Sequence, residues 1–258
     1  MKKRHLWTRV FGICLLLALL ISLTACKAQS ATVRGNLTER FGDVPQMEQG
    51  DQTYYQRSRM SAVLLTGVMP DATDGQLRTD FVAVITIDDD EKRITPIYID
   101  GQTMVEVEGE SMPLRGVFAL GEDSQENCQR MKTAVEGLLG ENLIEHYMAV
   151  DLEGIKGISQ FSMLEGDTRE RLHLLRMALE GIPSKQLNQM YGAISAYLIT
   201  DMKSGAVMRV LDKTDRYEVV DTLDLPVIPA EAEGDPILPD AEKIRELVLD
   251  VFYKTDLF

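Results

Sequence analysis

The chain has 258 residues, a formal net charge of −14 and 45% hydrophobic residues. Residues 1–25 carry four basic side chains, Lys2, Lys3, Arg4 and Arg9, and no acidic one, so the rest stands at −18, with 23 basic against 41 acidic residues. That excess argues against a nucleic-acid partner and suits a body held off an anionic membrane surface.

The N-terminus reads as a targeting segment. Lys2, Lys3 and Arg4 form a positive region, Phe11 to Leu23 an apolar one, and Leu23-Thr24-Ala25-Cys26 has the shape of a bacterial lipobox. Residues 1–26 are therefore expected to be a lipoprotein signal peptide, with Cys26 the lipidated residue. The alternative is an uncleaved anchor, but the apolar run is short against the ~20 residues of a span. Either way the body faces outward. Only Cys128 then remains as a free thiol, and His146 and His173 are the only histidines beyond the segment. Neither a disulfide framework nor a His/Cys zinc site is expected. GxSxG, HExxH and phosphate-loop motifs are absent as well.

Residues 27–58, with Gly35, Gly42, Pro45 and Gly50, read as a polar tether with room for one short helix or strand. A single domain is expected over 59–256. Ser61 to Val68 is an apolar run stopped by Met69-Pro70-Asp71, a fully buried strand. Residues 78–100, "RTDFVAVITIDDDEKRITPIYID", read as a β-hairpin turning at Asp88-Asp89-Asp90-Glu91. The turn lacks the glycine and closing glutamate of a calcium loop and is read as solvated. Met104 to Val107 is strand-like. Ser124 to Leu139 has helical spacing, with Gly140 as its C-cap, and His146 to Leu152 returns as a strand.

A helix from Asp167 or Thr168 through Glu180 follows, then a second from Ser184 to about Ile199. Val207 to Leu211 is helical in pattern and Tyr217 to Leu225 strand-like. After a loop marked by Pro226, Pro229, Pro236 and Pro239, Asp240 caps a last helix with Ile244, Leu247, Val248 and Val251 on one face. Interleaved strands and helices predict an α/β protein, three-layered α/β/α around a central mixed β-sheet.

The order of pieces resembles the LytR-CpsA-Psr (LCP) family. "VLLTGVMPDATDGQLRTDFVAVITIDDDEKRITPIYIDGQT" is similar to the family's LLLGxD…RxDT…strand–turn–IPRDT. "LRGVFALGEDSQENCQRMKTAVEGLLG" resembles its INxAYxxGG and following helix, and "IEHYMAVDLEGIKGI" its IDYYVxVDFEGFxxLVD. "TLDLPVIPAEAEGDPILPDAEKIRELVLDVFYK" resembles its closing LPG…PDEEALxELV stretch. The resemblance spans about residues 60–254.

It implies a protein on the outer face of the cytoplasmic membrane. Such a protein moves a polyprenyl-diphosphate-linked glycopolymer to peptidoglycan, as a phosphotransferase with Mg2+ at the diphosphate. By the resemblance, Arg78 and Asp80 match the RxD pair and are the catalytic candidates. Asp80 would touch the metal, and Arg78, Arg115, Arg169 and Arg171 would hold the diphosphate. Several departures favour the alternative, a non-catalytic relative that binds a polyprenyl-linked ligand or an envelope partner. Met69 stands where the family has an aspartate, with Asp71 two residues on, and Asp100-Gly101 where it has the arginine of IPRDT. A segment expected after Ile158 is missing. Arg115 falls at a small polar position of the family, and Arg169 and Arg171 at its basic helix start.

Each candidate also has a plainer reading. Arg78 and Asp80 could form a surface ion pair, Arg115 lie solvated in a loop, and Arg169 and Arg171 in a charged first helical turn. Met131, Met163, Met177, Met190, Met202 and Met208 could line a lipid crevice or simply fill the core. Cys128 is expected to be inert, and His146 and His173 have no visible partner in the sequence.

Overall fold

The structure, a computed structural model, describes residues 46–49, 52–70, 75–158, 189, 191–228 and 235–255. In chain order its elements begin with strands β1 (Gln46–Gln49), β2 (Gln52–Gln56), β3 (Met60–Pro70), β4 (Leu77–Asp88), β5 (Arg93–Ile99), β6 (Met104–Val107) and β7 (Glu110–Pro113). Helices α1 (Leu114–Val117) and α2 (Ser124–Leu139), strand β8 (His146–Asp151) and helix α3 (Leu152–Lys156) follow. The remainder holds β9 (Leu198–Thr200), α4 (Ser204–Thr214), β10 (Glu218–Val219), β11 (Leu223–Asp224), β12 (Val227–Ile228), β13 (Leu238–Pro239), α5 (Ala241–Phe252) and β14 (Tyr253–Lys254).

The apolar run read from the sequence as a buried strand becomes β3, at the centre of the main sheet. It pairs antiparallel with β4 and parallel with β8, and β4 pairs antiparallel with β5. β9 closes one edge antiparallel to β8, while β10 and β11 lie parallel to β5 at the other. The sheet is therefore mixed, as expected. β3 buries both faces, which is why it reads as a continuous apolar run. Ala62, Leu64, Thr66 and Val68 turn one way, and all are buried. On the other face Val63, Phe81, Ala83 and Val150 pack with Leu152 and Ile155 of α3 and Val207 and Leu211 of α4. α1 packs on β4, α2 on β8, and α5 on α2, which gives the opposite layer.

Local signals set the element ends. Asp123 caps α2, its Oδ1 accepting from the Gln125 and Glu126 amides at 2.9 Å, and Gly140 ends it at φ 76°. That is the left-handed conformation in which a Cβ is strained. Asp240 caps α5 through the Lys243 amide at 3.2 Å.

Three readings change. The helix expected to run to about Ile199 gives way to a 3-10 turn at Ser195–Tyr197, and Leu198–Thr200 becomes the strand beside β8. The strand expected over Tyr217–Leu225 is two short ones, each pairing a different part of β5. Within the segment read as a tether, β2 pairs antiparallel with β14. Its neighbour Arg57 donates to the Tyr253 carbonyl at 3.1 Å.

Candidate functional site

The sheet brings several chain ends to one edge of the fold. β3, β5 and β8 run in the same direction, so their carboxyl ends lie together with the start of β4. In open α/β sheets ligands are received at the carboxyl ends of the strands. Arg78 and Asp80 open β4 at that end, both partly buried.

The backbone there is irregular in a specific way. Gly67 pairs with Phe81, but Val68 pairs with Thr79 and Met69 with Arg78, so Asp80 is the extra residue of a β-bulge. A bulge reverses the face of everything beyond it. Thr79 turns to the face of Val68 and is buried, and Arg78 turns to the face of Met69. In an unbroken ladder Arg78 would point to the α1–α2 side. Gly67 permits the arrangement, because a Cβ there would lie 2.4 Å from the Phe81 ring.

The end of β5 is a hydrogen-bonded turn. Asp100 Oδ1 accepts from the Gln102 amide at 2.8 Å, and the Asp100 carbonyl accepts from the Thr103 amide at 2.9 Å. The Thr103 carbonyl then takes the Leu114 amide at 2.9 Å, and the Gly101 carbonyl takes the Arg115 amide at 2.8 Å. Arg115 is thereby held beside the turn, with its side chain exposed. With the amide oxygen of Gln102 turned to the guanidinium, it accepts from the two Nη atoms at 2.8 and 3.3 Å.

The sequence candidates thus divide. Arg78 and Asp80 open β4, and Arg115 stands on α1 beside the turn that follows β5. Arg169, Arg171, Asp71, Cys26, His173, Met163, Met177 and Met190 lie outside the described residues. Met131 is core, at 0% exposure, and Met202 and Met208 belong to the cluster beneath α4. Among the described residues no group of three or more His, Cys, Asp or Glu could hold a metal ion. Magnesium, however, commonly uses one or two protein carboxylates and completes its shell with substrate phosphates and water. Asp80 fits that limited role. Asp151 at the end of β8 is occupied as the α3 cap, accepting from the Gly154 amide at 3.0 Å.

Other polar groups prove structural. In the acidic hairpin turn, Asp88 Oδ1 accepts from the Asp90 and Glu91 amides at 2.9 and 3.0 Å. Arg57 reaches Asp88 and Glu91, and Lys213 Nζ sits 2.6 Å from Asp89 Oδ1. The Tyr217 hydroxyl donates to the same oxygen at 2.9 Å. Burial pushes the Asp89 carboxyl up, but the hydrogen bonds from Lys213 and Tyr217 outweigh it and hold it below the ordinary value. His146, partnerless in sequence, has Nδ1 3.3 Å from Asp201 Oδ2, while Asp201 Oδ1 accepts the Tyr147 amide at 3.1 Å. Cys128 is buried, and loss of hydration pushes its thiol up to about 12, with the Asp201 charge adding to the effect. The Gln102–Arg115 contact and the Asp80 bulge escaped the sequence reading, since both depend on pairing between distant segments.

By sequence, no family model and no curated protein matches the chain. Solved structures do match in shape. TagV of B. subtilis superposes with a TM-score of 0.57 at 16% identity, over 74% of this chain and 96% of that one. Protein gbs0355 of Streptococcus agalactiae gives 0.56 at 14%, over 78% and 91%, and TagT bound to LI-WTA gives 0.55 at 13%, over 75% and 90%. What the chain shares with these structures is a fold, the α/β fold of LytR-CpsA-Psr proteins.

Proposed function

We propose that the chain is a lipid-anchored envelope protein of LCP type, held by Cys26 at the outer face of the cytoplasmic membrane. In this reading it moves a polyprenyl-diphosphate-linked glycopolymer to peptidoglycan. The observation that carries the reading is the bulge at Asp80, which sets Arg78 and a carboxylate at the carboxyl end of the central strands. The shared fold with TagT bound to LI-WTA supports a glycopolymer partner in general.

In the transfer a peptidoglycan hydroxyl attacks the sugar-linked phosphorus, and its proton passes to solvent. The bond to the bridging oxygen breaks, and polyprenyl phosphate leaves. Such a step depends on positioning and charge more than on covalent help from the protein. Arg78 and Arg115 neutralise phosphate oxygens, joined by Arg169 and Arg171. Asp80 is the residue that would hold a magnesium ion at the diphosphate, and the ion would supply positive charge against the leaving phosphate.

A second reading has its own observation. Where the resemblance calls for an arginine, the chain has Asp100-Gly101, and Asp100 is tied into the turn by the Gln102 amide. Losing a charge-stabilising donor commonly costs about 10² to 10³ in rate. That favours a relative that binds the polyprenyl-linked ligand without transferring it.

Incubating the full chain in detergent with a lipid-linked glycopolymer and peptidoglycan oligomers separates the two. Release of polyprenyl phosphate, abolished by Asp80→Asn, is the expected result. Binding without release assigns the non-catalytic role, and neither binding nor release overturns both.

A further inference from the structure

Five arginines among the described residues are spent on carboxylates. Arg57 and Arg93 pair with Glu91, Arg59 with Asp90, Arg130 with Glu108 and Glu126, and Arg216 with Asp212. Arg115 differs. Its guanidinium meets the neutral amide of Gln102, at 2.8 and 3.3 Å, and no carboxylate among the described residues pairs with it. An ion pair would cancel the charge of an arginine. An amide fixes the group and leaves the charge in place, and the remaining N–H edge stays open for bidentate contact with an anion.

The backbone is built to the same end. Leu114 and Val117, at 0% exposure, anchor α1 to the core on either side of Arg115. The Arg115 and Leu114 amides are tied to the Gly101 and Thr103 carbonyls. A Cβ on Gly101 would stand 3.2 Å from the Arg115 Cβ, closer than ordinary van der Waals contact, so the approach favours glycine. The turn sits at the right end of the sheet. Ile99 pairs with Val82, so the turn leaves β5 at a level two residues along β4 from Asp80.

We propose that the turn after β5 is a device for presenting Arg115 to an anion. Gln102 is the positioning residue that fixes the guanidinium, and Gly101 is the residue that lets it approach. This rests on the diphosphate reading given above. Arg115 takes one phosphoryl group of a polyprenyl diphosphate at the sheet end where β4 begins. Most of the rotamer freedom that an exposed arginine would lose on binding is already removed by the amide.

The test measures binding of farnesyl diphosphate to the full chain in detergent micelles. Arg115→Ala is expected to weaken it about tenfold, the scale of one charge-assisted contact, and Gln102→Ala several-fold. The double variant should bind no worse than Arg115→Ala, because Gln102 acts only through Arg115. Gln102→Glu keeps the contact but cancels the charge, and should weaken binding at least as much as Gln102→Ala. Unchanged binding in Gln102→Ala, or independent losses that simply multiply in the double variant, would overturn the proposal while leaving the site at Arg78 and Asp80 intact. If wild type binds no diphosphate, the functional reading fails, and the clamp is judged by nitrogen NMR of the Arg115 side chain. Slowly rotating Nη groups that become averaged in Gln102→Ala support the clamp; averaging already in wild type overturns it.

Discussion

Gly67→Ala tests whether the strand register that positions Asp80 depends on one missing methyl group. A Cβ at residue 67 would lie 2.4 and 2.5 Å from two carbons of the Phe81 ring and 2.9 Å from Leu152 Cδ1. Both neighbours are at 0% exposure, so neither has solvent to move into. Overpacking of this kind costs about 3 kcal/mol at the upper end of the usual range. Urea unfolding of the variant should therefore show a lower midpoint with an unchanged slope, the signature of lost stability rather than altered compactness. The pair Gly67→Ala and Phe81→Leu should be less destabilised than the two single losses added, because the smaller side chain relieves the clash. A variant within about 0.5 kcal/mol of wild type, inside the range of an ordinary surface change, would refute the reasoning, as would strict additivity.

Three further outcomes follow from the structure. Cys128, buried and with its thiol pushed up to about 12, should resist alkylation at pH 8 in the folded protein and react at once in denaturant; rapid labelling of the native chain would contradict its placement on the buried face of α2. Asp89→Asn should lose roughly 1 kcal/mol at neutral pH, given the partial exposure of the Lys213 pair. Because the folded carboxyl titrates below its ordinary value of 3.8, the difference from wild type should be full above that pH and close as pH falls through the folded pKa. Asp123→Ala removes the α2 cap and should cost about 1 kcal/mol in thermal or urea unfolding, while Asp123→Asn retains most of it.

Much of the fold was legible because its signals are local. The 78–100 hairpin alternates in period two around a polar turn, and α2 carries both its apolar spacing and a glycine stop. The helix expected from Ser184 to about Ile199 does not reach that end, because only pairing with β8, which no local pattern announces, makes Leu198–Thr200 a strand. The break between β10 and β11 likewise follows from where β5 accepts partners. Arg78 and Asp80 stood out through the resemblance to a family, not through any pattern of their own. The bulge that aims them is a matter of register between strands, and the amide that meets Arg115 comes from a different element. Neither is written in any short stretch of sequence.

The central claim is that the start of β4 receives a diphosphate. The most direct measurement is calorimetric binding of a short-chain polyprenyl diphosphate to the full chain in detergent, with and without Mg2+, beside Arg78→Ala and Asp80→Ala. The account predicts magnesium-dependent binding that is lost in both variants. Binding that ignores magnesium and survives both substitutions, or no binding to wild type, would contradict it.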